Sequence, residues 1–271
     1  MITRLEQTDA MSFLTTISNN SVDLILTDPP YIISKDSGMD KHYQHVQELG
    51  DGYTKTEEEW IAFKEKEGIA DDEKKEKFMK YGSIYGKKYA VKTNYGKWDK
   101  DFTMELLNDI IQQYYKKLRK GGTMIMFFDL WKIGELKTIM EKHKFKQIRF
   151  IEWIKTNPQP LNSSINYLTN CREIALVGVK GGCPTFHSKY DNGVYEYPLQ
   201  GGKGRFHPTQ KSLKLFMELI EKHSNEGDVV LDTFLGAGTT AQACRETNRT
   251  CLGCELVAEY FSKMNTVMTS L

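Results

Sequence analysis

Val229-Val230-Leu231-Asp232-Thr233-Phe234-Leu235-Gly236-Ala237-Gly238-Thr239-Thr240 is the stretch whose reading decides the fold. Its aliphatic start fits a short strand buried on both faces, Gly236-Ala237-Gly238 lets the backbone bend sharply, and Thr239 opens a helix. Strand, glycine turn and helix start form a common cradle for an adenosine-containing cofactor. No third glycine follows at the dinucleotide offset and no Gly-Lys-Ser/Thr follows either, which disfavours a pyrophosphate cradle and a P-loop. The turn suits a cofactor that lacks phosphates. The next strand-like run, Thr250 to Glu255, ends in an acid, at a position where carboxylates typically accept from ribose hydroxyls.

Near the other end of the chain, Val22-Asp23-Leu24-Ile25-Leu26 leads into Asp28-Pro29-Pro30-Tyr31. An exocyclic amine of adenine or cytosine is a poor nucleophile, because its lone pair is delocalised into the ring. Acceptors at its two protons favour a more tetrahedral nitrogen and stabilise the positive charge that develops during attack. The Asp28 carboxylate supplies one such acceptor and the Pro29 carbonyl the other. Two consecutive prolines restrict φ and hold that carbonyl in place before substrate arrives. Tyr31 offers a stacking surface for the base, a contact worth about 1–3 kcal/mol in nucleic-acid sites. Both motifs are expected to meet at one sheet edge.

Between them the pattern alternates. Met11, Phe13 and Leu14 mark a helix-like stretch, and Leu107, Ile110, Ile111, Tyr114 and Leu118 repeat at helical spacing before Gly121-Gly122, which is expected to end that helix. Thr123 to Phe128 reads as a buried strand, Ile133 to His143 as a helix, and Ile148 to Ile154 and Ile174 to Val179 as strands. Asn157-Pro158-Gln159-Pro160 sits in a loop. Leu213, Phe216, Met217 and Ile220 mark an amphipathic helix, and Ala258 to Met268 a last one. The alternation predicts an α/β fold with a mostly parallel central sheet and helices on both faces. A single catalytic domain is expected over 1–271, interrupted by two irregular segments. One is an insertion at 34–101, a lid or DNA-contacting element with a charged helix from Glu57 to Lys80 around Trp60, Phe63 and Phe78. The other, about 180–205, is rich in Gly, Pro and Tyr and reads as a small target-recognition segment.

Composition narrows the setting. Hydrophobic content of 39% and charged content of 27% fit a soluble globular chain. No run is long enough to span a bilayer, and the N-terminus lacks a basic-then-apolar signal pattern, so no membrane partner is expected and the cytoplasm is the default compartment. Five cysteines, an odd number, agree with a reducing compartment. Cys251-Leu252-Gly253-Cys254 lies inside an apolar strand pattern with no second ligand pair, so no metal is expected. Net charge is only +1, and a nucleic-acid surface must therefore come from local clustering. Lys189, Lys203 and Arg205, interleaved with Phe186, His187, Tyr190, Tyr195 and Tyr197, form one candidate DNA surface. Lys87, Lys88, Lys92 and Lys97 in the insertion form another.

Taken together, these motifs resemble the β class of S-adenosylmethionine-dependent DNA amino-methyltransferases, the circularly permuted type whose catalytic motif precedes its cofactor motif. The resemblance implies a Rossmann-like methyltransferase fold and S-adenosyl-L-methionine as cofactor. It gives Asp28, Pro29, Pro30 and Tyr31 the target amine. Asp232, Phe234, Gly236, Gly238, Thr239 and Thr240 match the family's glycine motif, with Thr233 where proline is usual and Ala237 where serine is. His207, Pro208, Thr209 and Lys211 match its H-P-T-Q-K-P motif at the methionine end of the cofactor, with Ser212 in place of the last proline. Asp9 and Ala10, in a Thr8-Asp9 version of a Gly-Asp pair, are implied to meet the cofactor's adenine. Asp28, Glu255 and Leu256 complete the implied cofactor set, and Trp98-Asp99 resembles the residues that follow the family's mobile loop. The implied reaction is methylation of adenine N6 in duplex DNA, with the base flipped out of the stack. Cytosine N4 is the alternative, RNA and a glutamine side chain are more distant acceptors, and a non-catalytic nucleic-acid-binding subunit is a further one. A homodimer and a cognate restriction endonuclease are the implied partners besides double-stranded DNA.

Overall fold

The aliphatic runs come together in one sheet in a computed structural model whose described residues are 3–32, 55–81, 102–158, 171–200 and 210–270. Its strands are β1 (Arg4–Gln7), β2 (Val22–Thr27), β3 (Leu118–Phe128), β4 (Lys146–Lys155), β5 (Arg172–Val179), β6 (Val194–Tyr197), β7 (Val229–Asp232) and β8 (Thr250–Glu255). Across the sheet they lie in the order β1-β8-β7-β2-β3-β5-β4-β6. Neighbours are parallel except where β5 runs against β3 and β4. The helices are α1 (Ala10–Thr15), α2 (Glu57–Glu67), α3 (Lys75–Tyr81), α4 (Met104–Lys117), α5 (Ile133–Lys142), α6 (Leu213–His223), α7 (Thr239–Glu246) and α8 (Ala258–Ser270).

Strand alternation sorts the core into two halves. Ile25, Met124, Met126, Phe128 and Leu231 point to one face, where Phe13 and Leu14 of α1, Leu107 and Ile110 of α4 and Leu136 of α5 cover them. Leu24, Leu26, Ile125, Phe127 and Val230 point to the other, under Leu215, Phe216 and Leu219 of α6, Ala241 of α7 and Met264 of α8. At about 1.5–3 kcal/mol for each large apolar side chain removed from water, these two layers dominate the stability. Cys254 falls in the first layer and Cys251 in the second. Three positions apart on a strand, they face opposite sides of the sheet and cannot share one ion.

The chain divides into two compact units, Met1–Ile32 with Phe102–Leu271, and Ile33–Asp101. In the second unit the expected single charged helix is two. Thr56 and Glu59 close a capping box at the start of α2, and Gly68 ends it in the left-handed conformation at φ 65°. After that break, α3 returns Phe78 against Trp60 and Phe63, with ring centroids 5.3 and 4.5 Å apart.

Three further boundaries differ from expectation. Helix α4 stops at Lys117, ahead of Gly121-Gly122, because Leu118 already pairs with Val22 in the sheet. Gly121 instead serves the strand: at φ 80°, a Cβ there would stand 2.4 Å from the Cys183 carbonyl oxygen. Strand β1, Arg-Leu-Glu-Gln, has no apolar run and is specified by its partner β8. Strand β6 lies in the segment expected to be irregular and pairs with β4 from Val194 to Tyr197. Among the described residues, no helix is long and apolar enough to cross a membrane.

Candidate active site

The seam between β2 and β7 joins residues more than two hundred positions apart. Leu24 and Ile25 pair with Val230 and Leu231, so both strands end on the same edge. There the Thr27 hydroxyl donates to Asp232 Oδ1 at 2.7 Å, and the Thr240 hydroxyl donates to Oδ2 at 2.5 Å. The Phe234 N–H adds a third donor to Asp232 Oδ1 at 3.0 Å. Burial still pushes the Asp232 carboxyl up to about 6, against the pull of those donors. Below this network, the buried Tyr114 hydroxyl meets Thr233 Oγ1 at 2.5 Å. A hydroxyl at 233, where proline is usual in the resembled family, thus has a buried partner.

The glycine turn is bonded to the end of β8. Glu255 Oε2 accepts from the Gly236 N–H and Oε1 from the Val257 N–H, each at 2.8 Å. A carboxylate has about four acceptor positions, so these bonds do not exhaust its capacity. Burial raises this carboxyl, although those backbone N–H groups favour its charge. Gly238 is the N-cap of α7 at φ 79°, and a Cβ there would lie 2.4 Å from Met264 Cγ. Its missing side chain therefore makes room for α8 as well as for the turn. Phe234 sits edge-on to Phe102 at 5.5 Å. Thr239 and Thr240 are buried in the first turn of α7, Leu256 is 54% exposed, and Ala10 is buried at the start of α1. Asp9 caps α1, accepting from the Ser12 N–H at 2.9 Å, and hydrogen bonds from the Ser12 side chain and then its backbone hold the Asp9 carboxyl below the usual range.

Asp28 stands one residue beyond β2, its side chain 16% exposed. Lys211 Nζ lies 2.5 Å from Asp28 Oδ2 and 2.8 Å from Glu173 Oε2. Lys155 Nζ closes the group on Glu173 Oε1 at 2.7 Å. The Tyr31 hydroxyl reaches Glu173 Oε2 at 3.4 Å, and the Lys211 ammonium lies 5.6 Å from the Tyr31 ring centroid. Asp28 Oδ1 is buried and has no hydrogen-bond partner among the described residues. Burial pushes the Asp28 carboxyl up, with Lys211 opposing. Lys211 loses solvation in the same place, yet Asp28 and Glu173 outweigh that loss and hold it protonated. Glu173 is likewise desolvated, but the two lysines hold its carboxyl below the usual range. Burial, then the two acids, drives the Tyr31 hydroxyl far up and keeps it neutral.

Lys211, expected among the cofactor residues, is thus turned to the acid of the first motif. Its neighbours His207, Pro208 and Thr209 lie outside the described residues, as do Lys203, Arg205, Trp98, Asp99 and the four insertion lysines. Lys189 is exposed, but the tyrosines expected beside it at a DNA surface are divided. Tyr190 is fully exposed. Tyr195 is buried in the core, where its ring meets the Lys222 ammonium at 4.5 Å, and the Tyr197 hydroxyl donates to Glu218 at 2.6 Å. Lys222 in turn pairs with Asp191 and Glu218, which makes an internally satisfied network of side chains expected to face a partner.

Sequence reasoning missed Thr27, Lys155 and Glu173. Glu173 carried a faint signal, an acid directly before the apolar run Ile174–Val179, but its place at this edge depends on the reversal of β5.

Known proteins resemble this chain over nearly its whole length. The "Type II methyltransferase M2.DpnII" of Streptococcus pneumoniae is 27% identical over 274 residues, covering 94% of this chain and 85% of the relative. Among solved structures, the M1.HpyAVI–SAM complex superposes with a TM-score of 0.62 at 24% identity, covering 98% of this chain and all of the other. The cytosine-N4-specific PvuII DNA methyltransferase superposes at 0.65 with 13% identity, over 97% of this chain and 86% of its own. Those two likenesses establish the fold. The profile of the DNA methylase family, of N6 and N4 type, matches residues 22–266 and so takes in both motifs, and the chain belongs to that family.

Proposed function

We propose that the chain methylates the exocyclic N6 of a flipped-out adenine in duplex DNA, with S-adenosyl-L-methionine as methyl donor. The observation that carries this reading is Asp28 Oδ1, a buried acceptor with no described partner beside Tyr31 and one strand from the glycine turn. An unpaired buried acceptor costs about 1–3 kcal/mol. An arriving N–H would remove that cost, so the site favours a substrate that brings a hydrogen-bond donor over a purely apolar one. Asp28 at the head of the motif, where serine accompanies cytosine N4 in the resembled family, supports adenine.

Bound S-adenosylmethionine supplies a methyl group on a positively charged sulfur, which departs as a neutral thioether when the amine attacks. The protein's own part is orientation and charge. Asp28 Oδ1 accepts one N–H of the amine, and the Pro29 carbonyl accepts the other, so the nitrogen lone pair turns out of the base plane. Positive charge grows on that nitrogen during attack and the Asp28 carboxylate stabilises it. The methylated nitrogen then gives up a proton from its Asp28 side, by way of that carboxylate to solvent, which leaves the product amine neutral and Asp28 ionised again. Tyr31, neutral and edge-on to Phe128 at 6.2 Å, offers its ring to the base. For the donor, the free lone pairs of Glu255 suit a ribose diol, and Asp9 with Ala10 suits the adenine ring.

Incubation with cofactor labelled in its methyl group and with duplex DNA, followed by digestion to nucleosides, tests the reading. Labelled N6-methyl-2′-deoxyadenosine is expected. Labelled N4-methylcytosine would overturn the choice of base, and unlabelled DNA would overturn the activity. A homodimer and a cognate restriction endonuclease belong to the same reading, and the chemistry above requires neither.

A further inference from the structure

We propose that Glu173 is a positioning residue for methyl transfer, holding Lys211 so that its ammonium covers only one oxygen of Asp28. The inference rests on the amine-methylating role of Asp28 given above and extends it to a residue outside both motifs. Its basis is geometric. An ammonium has three N–H donors. In this site one is directed to Asp28 Oδ2 at 2.5 Å and one to Glu173 Oε2 at 2.8 Å, the Glu173 contact draws the ammonium away from Oδ1, and Asp28 Oδ1 has no hydrogen-bond partner among the described residues. Glu173 is itself anchored from behind by Lys155 at 2.7 Å, so it acts as a fixed post. With Glu173 neutral, Lys211 has a single carboxylate partner. Its freed donor can then swing onto Asp28 Oδ1, where it competes with the amine and draws off the electron density that the reaction uses.

Among the described residues, the charged and titratable groups facing Asp28 are Lys211 ahead of α6, Glu173 on β5, Tyr31 on its own turn and Asp232 on β7; Lys155 on β4 faces Glu173. Loss of the Glu173 charge removes a repulsion from Asp28, so Asp28 takes up its proton at lower pH in the variant. Two signatures follow. In Glu173→Gln, kcat at neutral pH falls about tenfold, the size of one charge-assisted contact misdirected at the reacting atom, with KM for DNA and cofactor little changed. The acid limb of the kcat profile also moves to lower pH.

The experiment is the full kcat–pH profile of the intact chain, Glu173→Gln and Glu173→Asp on duplex DNA, with thermal melts and calorimetric S-adenosylmethionine binding on each. Partial recovery of kcat in Glu173→Asp, at unchanged cofactor affinity, is the expected result. A Glu173→Gln enzyme with wild-type kcat, or with reduced kcat but an unmoved acid limb, overturns the proposal. If Glu173→Gln does not fold, Lys155→Met tests the same post from behind, with the same fall in kcat expected and its absence overturning the proposal. Wild-type protein that labels no nucleoside would instead defeat the underlying methyltransferase reading.

Discussion

Asp28 and Asp232 are neighbours on one sheet edge, yet their surroundings give them different work. Asp232 accepts three hydrogen bonds and has no cation beside it among the described residues, whereas Asp28 has Lys211 on one oxygen and none on the other. Asp28→Ala removes the acceptor and is expected to lower kcat by at least about a hundredfold. Calorimetric affinity for the cofactor should stay within a few-fold; a variant that turns over normally would remove Asp28 from the chemistry. Asp232 acts on stability. Its folded-state carboxyl titrates near 6, against an ordinary value of 3.8. The folded protein therefore holds this proton more tightly than the unfolded chain does. The resulting stabilisation is complete below pH 3.8 and is lost as pH rises through about 6. The loss amounts to about 3 kcal/mol, from a shift of roughly two pH units at 1.36 kcal/mol each. Urea unfolding of Asp232→Asn and wild type at pH 4 and pH 8 should show the variant gaining most of that, about 2.5 kcal/mol, on wild type between the two. Parallel stability curves would contradict the buried, raised carboxyl.

At the level of elements, the glycine turn was legible because Gly236 and Gly238 follow an aliphatic strand and precede a helix. What packs against the turn was not. The sequence reading places Gly238 in the glycine turn of a cofactor cradle, and no local pattern records that Met264 of α8, 26 positions along the chain, stands where its side chain would be. Gly238→Ala would combine a left-handed backbone with this clash and should cost about 2–4 kcal/mol in urea unfolding. Adding Met264→Ala relieves the clash but not the backbone strain, so the double variant should recover part of the difference between Gly238→Ala and wild type, once the cost of Met264→Ala alone is subtracted. Strict additivity of the two substitutions would show that α8 does not constrain the turn. Strand β1 was invisible for a related reason: Arg4–Gln7 has no period of its own and takes its conformation from Leu252–Glu255. Helix α4 was visible in its apolar stripe, but its end was misplaced. The glycine pair that looks like a helix stop is needed farther on, where β3 runs close to Cys183.

For the whole molecule, periodicity announced a mostly parallel sheet, while strand order and the direction of β5 lay in contacts that no local pattern records. That single reversal decides the site. In a wholly parallel sheet the start of a strand lies opposite the edge that carries Asp28; reversed, β5 begins at that edge and delivers Glu173 to Lys211. The described residues at the edge that carries Asp28, Glu173 and Asp232 belong to Met1–Ile32 and Phe102–Leu271. Ile32 and Phe102, at the ends of those two segments, both pack against the same core cluster. Both ends thus lie on one side of the sheet, and ten flexible residues reach about 16–19 Å. A chain in which residues 34–100 are replaced by a flexible linker of about ten residues should therefore keep a cooperative urea transition. Closure entropy changes by only about 0.6 kcal/mol for each twofold change in loop length, so the stability should stay within about 2 kcal/mol of the full chain. The fluorescence of Trp153, buried beneath β6 with its indole N–H donating to the Tyr197 carbonyl at 2.8 Å, reports that transition. A broad, non-cooperative loss of that signal would show that the sheet needs the second unit in order to fold.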